Sequence, residues 1–300
     1  MRTDNEYKRL IENRLEELLK VPEEQFEAGK RPRLLTDAMH YSVMAGGKRL
    51  RGCLLLAACE MLGGDIDDAI DFACAMEMIH AYSLIHDDLP GMDNDVLRRG
   101  KPTNHVVYGV GQAILAGDGL LNYAFEVMLD NALKASSEKQ GRLMKAMAEI
   151  AAAAGVRGMI AGQCADLYAE KREDVGNELL TYIHEGKTMN MIRGAILAGA
   201  SIAGADAKAY SAFAAYGYSF GILFQVTDDI LDVTADAEFG KSKGKDAEEG
   251  KLTAVSVYGL EGAKARAEQL KNEALDALRL FGPEADYFRD RLIKMYDRTH

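Results

Sequence analysis

The sequence predicts an all-α protein. Apolar residues recur at i, i+3, i+4 spacing over most of the chain. Only five prolines interrupt 300 residues, and no convincing series of alternating strands appears. No Ser/Pro-rich linker divides the chain, so the expectation is one large bundle of many helices.

Residues 4–20 form the first amphipathic pattern, with Tyr7, Leu10, Ile11, Leu15, Leu18 and Leu19 on one side. A loop with Pro22 and Pro32 follows, then a helical run over 34–44. It stops at Gly46-Gly47-Lys48-Arg49-Leu50-Arg51. Paired glycines followed by cations can bring N–H groups and charge to a phosphate, although alone such a stretch is a solvated turn. The spacing predicts the next helices over 53–62 and 65–89, separated by Gly63-Gly64.

The 65–89 helix carries His86-Asp87-Asp88 into Leu89-Pro90-Gly91, which cannot continue a helix comfortably. Carboxylates thus collect at a helix C-terminus, where the macrodipole is already negative. Such a placement wants a cation. Asp93 follows closely, and oxygen donors without cysteine favour a hard ion, Mg²⁺ rather than Zn²⁺. The polar loop 90–103 then presents Arg98 and Arg99, a fork suited to phosphate. His80 lies two turns before Asp87 on one face. By itself it is a core or cleft histidine; beside a metal–phosphate site it becomes a diphosphate donor.

Further helices are expected over 111–134, 137–153, 156–170 and 177–201. The last holds Glu185-Gly186-Lys187-Thr188. This is not a nucleotide P-loop, because Thr181 occupies the position of the required earlier glycine and no strand precedes it. The 208–232 helix contains the second acidic motif, Gln225 to Asp232. Asp228 and Asp232 are i, i+4 neighbours, and Gln225 shares their face. A Gly/Lys loop spans 239–246, and helices over 250–280 and 284–297 close the chain.

The net charge of −11 argues against a nucleic-acid partner and a basic membrane patch. It leaves an anionic small substrate open, since metal ions reverse a local field. Cys53, Cys59, Cys74 and Cys164 form no C-x-x-C pair and are expected to be reduced core residues of a cytoplasmic protein. The apolar stretch near 195–203 is short of a membrane span, and the first residues lack a signal-peptide pattern.

Taken together, Gly46 to Arg51, Ser83 to Pro90, Leu97 to Asn104, Ala116 to Leu120 and Phe224 to Asp232 resemble the trans-isoprenyl diphosphate synthases, specifically the bacterial farnesyl type. The resemblance runs from about Gly46 to Thr253. It implies a single polyprenyl synthetase domain over 1–300, a deep central cavity, and a homodimer without stable membrane insertion. The cofactor implied is Mg²⁺, with Mn²⁺ as a substitute.

Residue by residue, the resemblance makes Asp87, Asp88 and Asp93, with Asp228, Asp229 and Asp232, the metal ligands. Arg98, Lys187, Thr188, Gln225, Lys241 and Lys251 would hold the allylic diphosphate or flank its reacting carbon. Gly47, Lys48, Arg51, His80 and Arg99 would hold isopentenyl diphosphate. Tyr82 and Ser83 would floor the cavity, and an aromatic at 82 implies a farnesyl product. Helix geometry alone does not demand Tyr82, because Ser83 projects closer to the direction of Asp87.

Geranylgeranyl and geranyl diphosphate synthases are the alternatives within the family. Outside it stand a His-Asp metal phosphohydrolase built on His86-Asp87, with His40, His80 and Asp228 as further ligands, a terpene cyclase and a non-catalytic partner subunit. Two intact Asp motifs disfavour the last two.

Overall fold

The computed structural model describes residues 1–170, 172, 174–234 and 250–299, and over these the protein is all-α apart from one two-residue hairpin. Helix α1 (Asp4–Leu18) opens with a capping box between Thr3 and Glu6. Helices α2 (Arg33–Val43), α3 (Leu50–Met61) and α4 (Ile66–Asp87) follow, the last capped by Asp65. Then come α5 (Asn104–Tyr108), α6 (Val110–Lys134), α7 (Ser137–Ala154), α8 (Met159–Ala169) and α9 (Asn177–Ile183). Helices α10 (Asn190–Ala203), α11 (Ala207–Thr234), α12 (Ala254–Ala277) and α13 (Asp286–Tyr296) complete the described set.

Helix α10 is the axis of the bundle. It packs on α3, α7 and α11, and every residue from Gly194 to Ile202 is buried. Its small residues explain this position, because Ala and Gly let neighbouring helices approach closely. A helix this apolar over most of its circumference belongs in a core rather than at the surface. Among the described residues no helix is long and apolar enough to cross a membrane.

Three expectations are corrected by the structure. The 90–103 loop holds an antiparallel hairpin, β1 (Leu97–Arg98) and β2 (Lys101–Pro102). Its turn residues Arg99 (φ 54°) and Gly100 (φ 74°) both have positive φ, the signature of a tight two-residue hairpin. A motif so short has no period to read in sequence. The 177–201 run is continuous but divided by a π turn, His184–Met189, between α9 and α10. Lastly, Cys164 is exposed whereas Cys53, Cys59 and Cys74 are buried; all four are free.

Candidate active site

The first Asp motif is shaped by the end of α4. Asp87 is the last helical residue and Asp88 its C-cap. The chain folds back at once: the Asp93 N–H donates to Asp87 O at 2.9 Å and the Asn94 N–H to Leu89 O at 3.1 Å. Pro90 and Gly91 allow this return, which sets Asp93 against the helix end. The hairpin then aims Arg98 at Asp88. Arg98 Nε donates at 2.8 and 3.0 Å to the two carboxylate oxygens, and Nη2 lies 2.6 Å from Oδ1. Asp88 is 3% exposed, so this carboxylate is matched by protein. Burial still holds its carboxyl above the usual range, against the pull of Arg98. Asp87 is also raised by burial, with Lys187 opposing and Asp93 adding to the rise.

Opposite stands the second motif. The π turn presents Lys187 and Thr188, and π turns recur at functional sites because they re-aim side chains. Thr188 Oγ1 donates to Gln225 Oε1 at 2.8 Å. Gln225 Nε2 donates in turn to Asp229 Oδ1 at 2.9 Å. The other Asp229 oxygen accepts from the Ala254 N–H at 2.7 Å and lies 3.2 Å from His184 Nε2. This chain orients the Gln225 amide and ties the π turn, α11 and the start of α12 together. Asp228 Oδ1 lies 3.2 Å from Arg298 Nη2. Asp232 Oδ2 is buried without a hydrogen-bond partner among the described residues.

A third group gathers around His80. Arg49, Arg51, Arg98 and Arg99 all act on it, and burial with these cations holds its imidazole well below the ordinary range. His80 is therefore neutral at physiological pH and offers a single N–H. Burial also lowers Arg51, offset by Glu77 and Asp228. Its Nε is buried without a hydrogen-bond partner among the described residues. Arg99 folds over Gly47 and donates to Gly46 O. Lys48 is exposed on the same loop. Lys251 joins the mouth from the far end of the chain, its Nζ 3.3 Å from both Asp93 oxygens. Lys241 lies outside the described residues.

A cavity of about 660 Å³ draws on one or two residues of each group. Arg51, His80, Tyr82, Asp87, Lys187 and Thr188 all line it, with Ser83 beside them. The rest of its wall is largely apolar, including Met92, Met159, Ile160 and Leu167. Tyr82 is 6% exposed and packs edge-on against His86, ring centroids 5.7 Å apart. Position 82 therefore faces the cavity beside position 83, a choice that helical angle alone left open.

Two polar residues of α8, Gln163 in this wall and the buried Asp166 behind it, are absent from the sequence-based expectations. Gln163 Nε2 donates to Asp87 Oδ1 at 2.6 Å, and Lys187 Nζ donates to Asp166 Oδ2 at 2.6 Å. Their signal was present, a Gln and an Asp at i, i+3 on an otherwise apolar helix. His40, in contrast, pairs with Glu16 at 2.8 Å, and so does not join His80.

The donor set suits Mg²⁺. Among the described residues no three His, Cys, Asp or Glu groups converge into a ready-made metal cage. Instead Asp87, Asp93, Asp228 and Asp232 offer partial, all-oxygen ligand sets, and one buried Asp232 oxygen lacks a partner among the described residues. Mg²⁺ is commonly held in this way, by one or two carboxylates with substrate phosphate and water.

Cationic groups and carboxylates thus gather beside a largely apolar chamber in an all-helical protein, a setting that suits a molecule with an anionic head and a hydrocarbon tail. A family model described as polyprenyl synthetase matches residues 32–277, and the chain belongs to that family. It is 45% identical over 256 residues to a chloroplastic geranylgeranyl pyrophosphate synthase of Catharanthus roseus, covering 85% of this chain and 71% of that protein. It is 44% identical over 255 residues to a geranylgeranyl diphosphate synthase of Cyanophora paradoxa, covering 85% and 84%. A crystal structure of an FPP/GFPP synthase from Zymomonas mobilis superposes with a TM-score of 0.84 at 33% identity, covering 98% and 97% of the two chains.

Proposed function

We propose that the protein is a short-chain prenyl diphosphate synthase that joins isopentenyl diphosphate to an allylic diphosphate. The observation that carries this reading is the single cavity shared by Asp87, Lys187 and Thr188 at one end and Tyr82 with apolar side chains at the other. Lys187 and Lys251, with Arg98 beside the first motif, would bind the allylic diphosphate. Arg51, Arg99 and the neutral His80, with Gly47 and Lys48, would bind isopentenyl diphosphate separately. Asp87, Asp93, Asp228 and Asp232 would hold Mg²⁺, which neutralises charge on a diphosphate leaving group when bound.

The reaction then follows from placement. The allylic C–O bond breaks and its electron pair leaves with diphosphate. Oriented oxygen dipoles of Thr188 and Gln225 stabilise the allylic cation. The isopentenyl double bond attacks it, a C–C bond forms, and the new cation loses a proton to the departing diphosphate. Apolar walls exclude the water that would quench either cation.

The relatives' names favour a geranylgeranyl product over the farnesyl product that the motif resemblance implies. One observation supports farnesyl diphosphate as a second reading: the bulky Tyr82 stands in the cavity wall. We propose further that the whole chain is one domain acting as a homodimer. Val110, Ile114, Leu115, Leu129 and Leu133 of α6 leave apolar surface exposed that a second subunit would cover.

Incubation with isopentenyl diphosphate, dimethylallyl diphosphate and Mg²⁺, followed by dephosphorylation and chromatography, tests the reading. Geranylgeraniol supports the first product, and farnesol the second. No condensation by folded, Mg²⁺-replete protein sinks both.

A further inference from the structure

Helix α8 and the π turn touch backbone to backbone. A β-carbon at Gly162 would stand 2.0 Å from the Lys187 amide nitrogen, and one at Gly186 2.6 Å from Gly162 Cα. Only a glycine pair allows that separation. From this seat Asp166 reaches across to Lys187, its Oδ2 2.6 Å from Nζ. Asp166 is 5% exposed and belongs to an apolar helix. A carboxylate there carries a desolvation penalty that a structural role alone does not require. Lys187 is more open, with 27% of its side chain exposed, and it lines the cavity.

A lysine ammonium on its four-carbon stem loses rotamer freedom when held in one place. It carries three N–H donors. Asp166 takes one, which leaves two for a further acceptor. We propose that Asp166 is a positioning residue: it holds the Lys187 ammonium at the cavity wall, oriented in advance for the allylic diphosphate. The lysine need not leave Asp166 when substrate binds, because it can donate to both. This inference rests on the prenyl diphosphate synthase reading and deepens it.

The test compares the wild type with Asp166→Asn, Asp166→Glu, Lys187→Gln and the Asp166→Asn/Lys187→Gln double variant. The Michaelis constants for the allylic and isopentenyl substrates are measured separately. Calorimetric binding of inorganic diphosphate with Mg²⁺ and circular dichroism accompany them. Asp166→Asn should raise the allylic KM about tenfold or more, the loss expected of one misplaced charge-assisted bond. The isopentenyl KM should change little, since other cations hold that substrate. Asp166→Glu should recover part of the loss, and Asp166→Asn should add little once Lys187 is Gln.

Equal changes in both KM values, no change in either, or an undiminished effect in the Lys187→Gln background would overturn the proposal. If Asp166→Asn fails to fold, Asp166→Glu decides through diphosphate calorimetry in the wild-type and Lys187→Gln backgrounds: an equal effect in both overturns the proposal. A wild type that does not condense its substrates overturns the functional reading instead. The calorimetric loss in Asp166→Asn would still report on the Asp166–Lys187 contact.

Discussion

Gly47 lies directly beneath the guanidinium of Arg99: a β-carbon at position 47 would stand 2.8 Å from Arg99 Nη1. Gly47 also holds φ at 128°, a region that other residues enter only with strain. The glycine is therefore needed twice, for its backbone and for the cation stacked on it. Arg99 itself comes from a hairpin turn at φ 54°, so two unusual backbone positions, far apart in sequence, meet in one contact.

Gly47→Ala should displace Arg99 and weaken the isopentenyl site. Backbone strain of about 1–3 kcal/mol is expected, enough to raise the isopentenyl KM about tenfold. The allylic KM should stay near wild type. Steady-state kinetics with each substrate varied in turn checks this, and a matching rise in both constants contradicts it.

Asp87→Ala and Asp228→Ala should each lower kcat by on the order of 10²–10³-fold, as loss of a preorganised charge-stabilising group does. The fold should persist. Burial raises the Asp87 carboxyl, so at neutral pH its charge opposes folding and its removal does not weaken the native state. The melting temperature of Asp87→Ala should therefore equal or exceed that of wild type. Full activity in either variant would remove the two-motif mechanism.

Tyr82→Ala should lengthen the product by at least one isoprene unit. Tyr82 is nearly fully buried in the cavity wall, and its loss opens space that an apolar chain can fill. Chromatography of the dephosphorylated products reads this directly. An unchanged product would place the floor at another side chain.

His80 should make stability fall in acid. Burial and four neighbouring arginines keep it neutral in the folded protein. The unfolded chain takes up a proton on this residue as pH falls through about 6.5. Its contribution is thus fully present above that pH and is lost below it, at up to about 1.4 kcal/mol per pH unit. Urea unfolding from pH 7.5 to 5 should show a shallower pH slope in His80→Gln than in wild type. Identical slopes would mean that His80 protonates in the folded state.

The helical class and most helix positions were legible because they rest on local rules. Apolar spacing and glycine punctuation act within a few residues. The Asp87-Asp88 end was legible for the same reason, since Pro90 and Gly91 stop a helix wherever it lies. The 97–102 hairpin was not, because two residues per strand show no alternation.

What the sequence by itself determined was the all-α architecture, the two acidic helix segments, and the residue types that answer to diphosphate and a hard cation. What only the tertiary structure decided was which of those groups face one another. Gln163 on Asp87, Lys187 on Asp166 and Lys251 on Asp93 are contacts between distant segments, made when α4, α8, the π turn and the approach to α12 converge on one cavity. The same packing selects Asp88 and Asp229 for protein partners, keeps His80 neutral and exposes Cys164. Local sequence sets backbone preference and side-chain chemistry. Desolvation and charge pairing depend on neighbours that only the packed chain brings within reach.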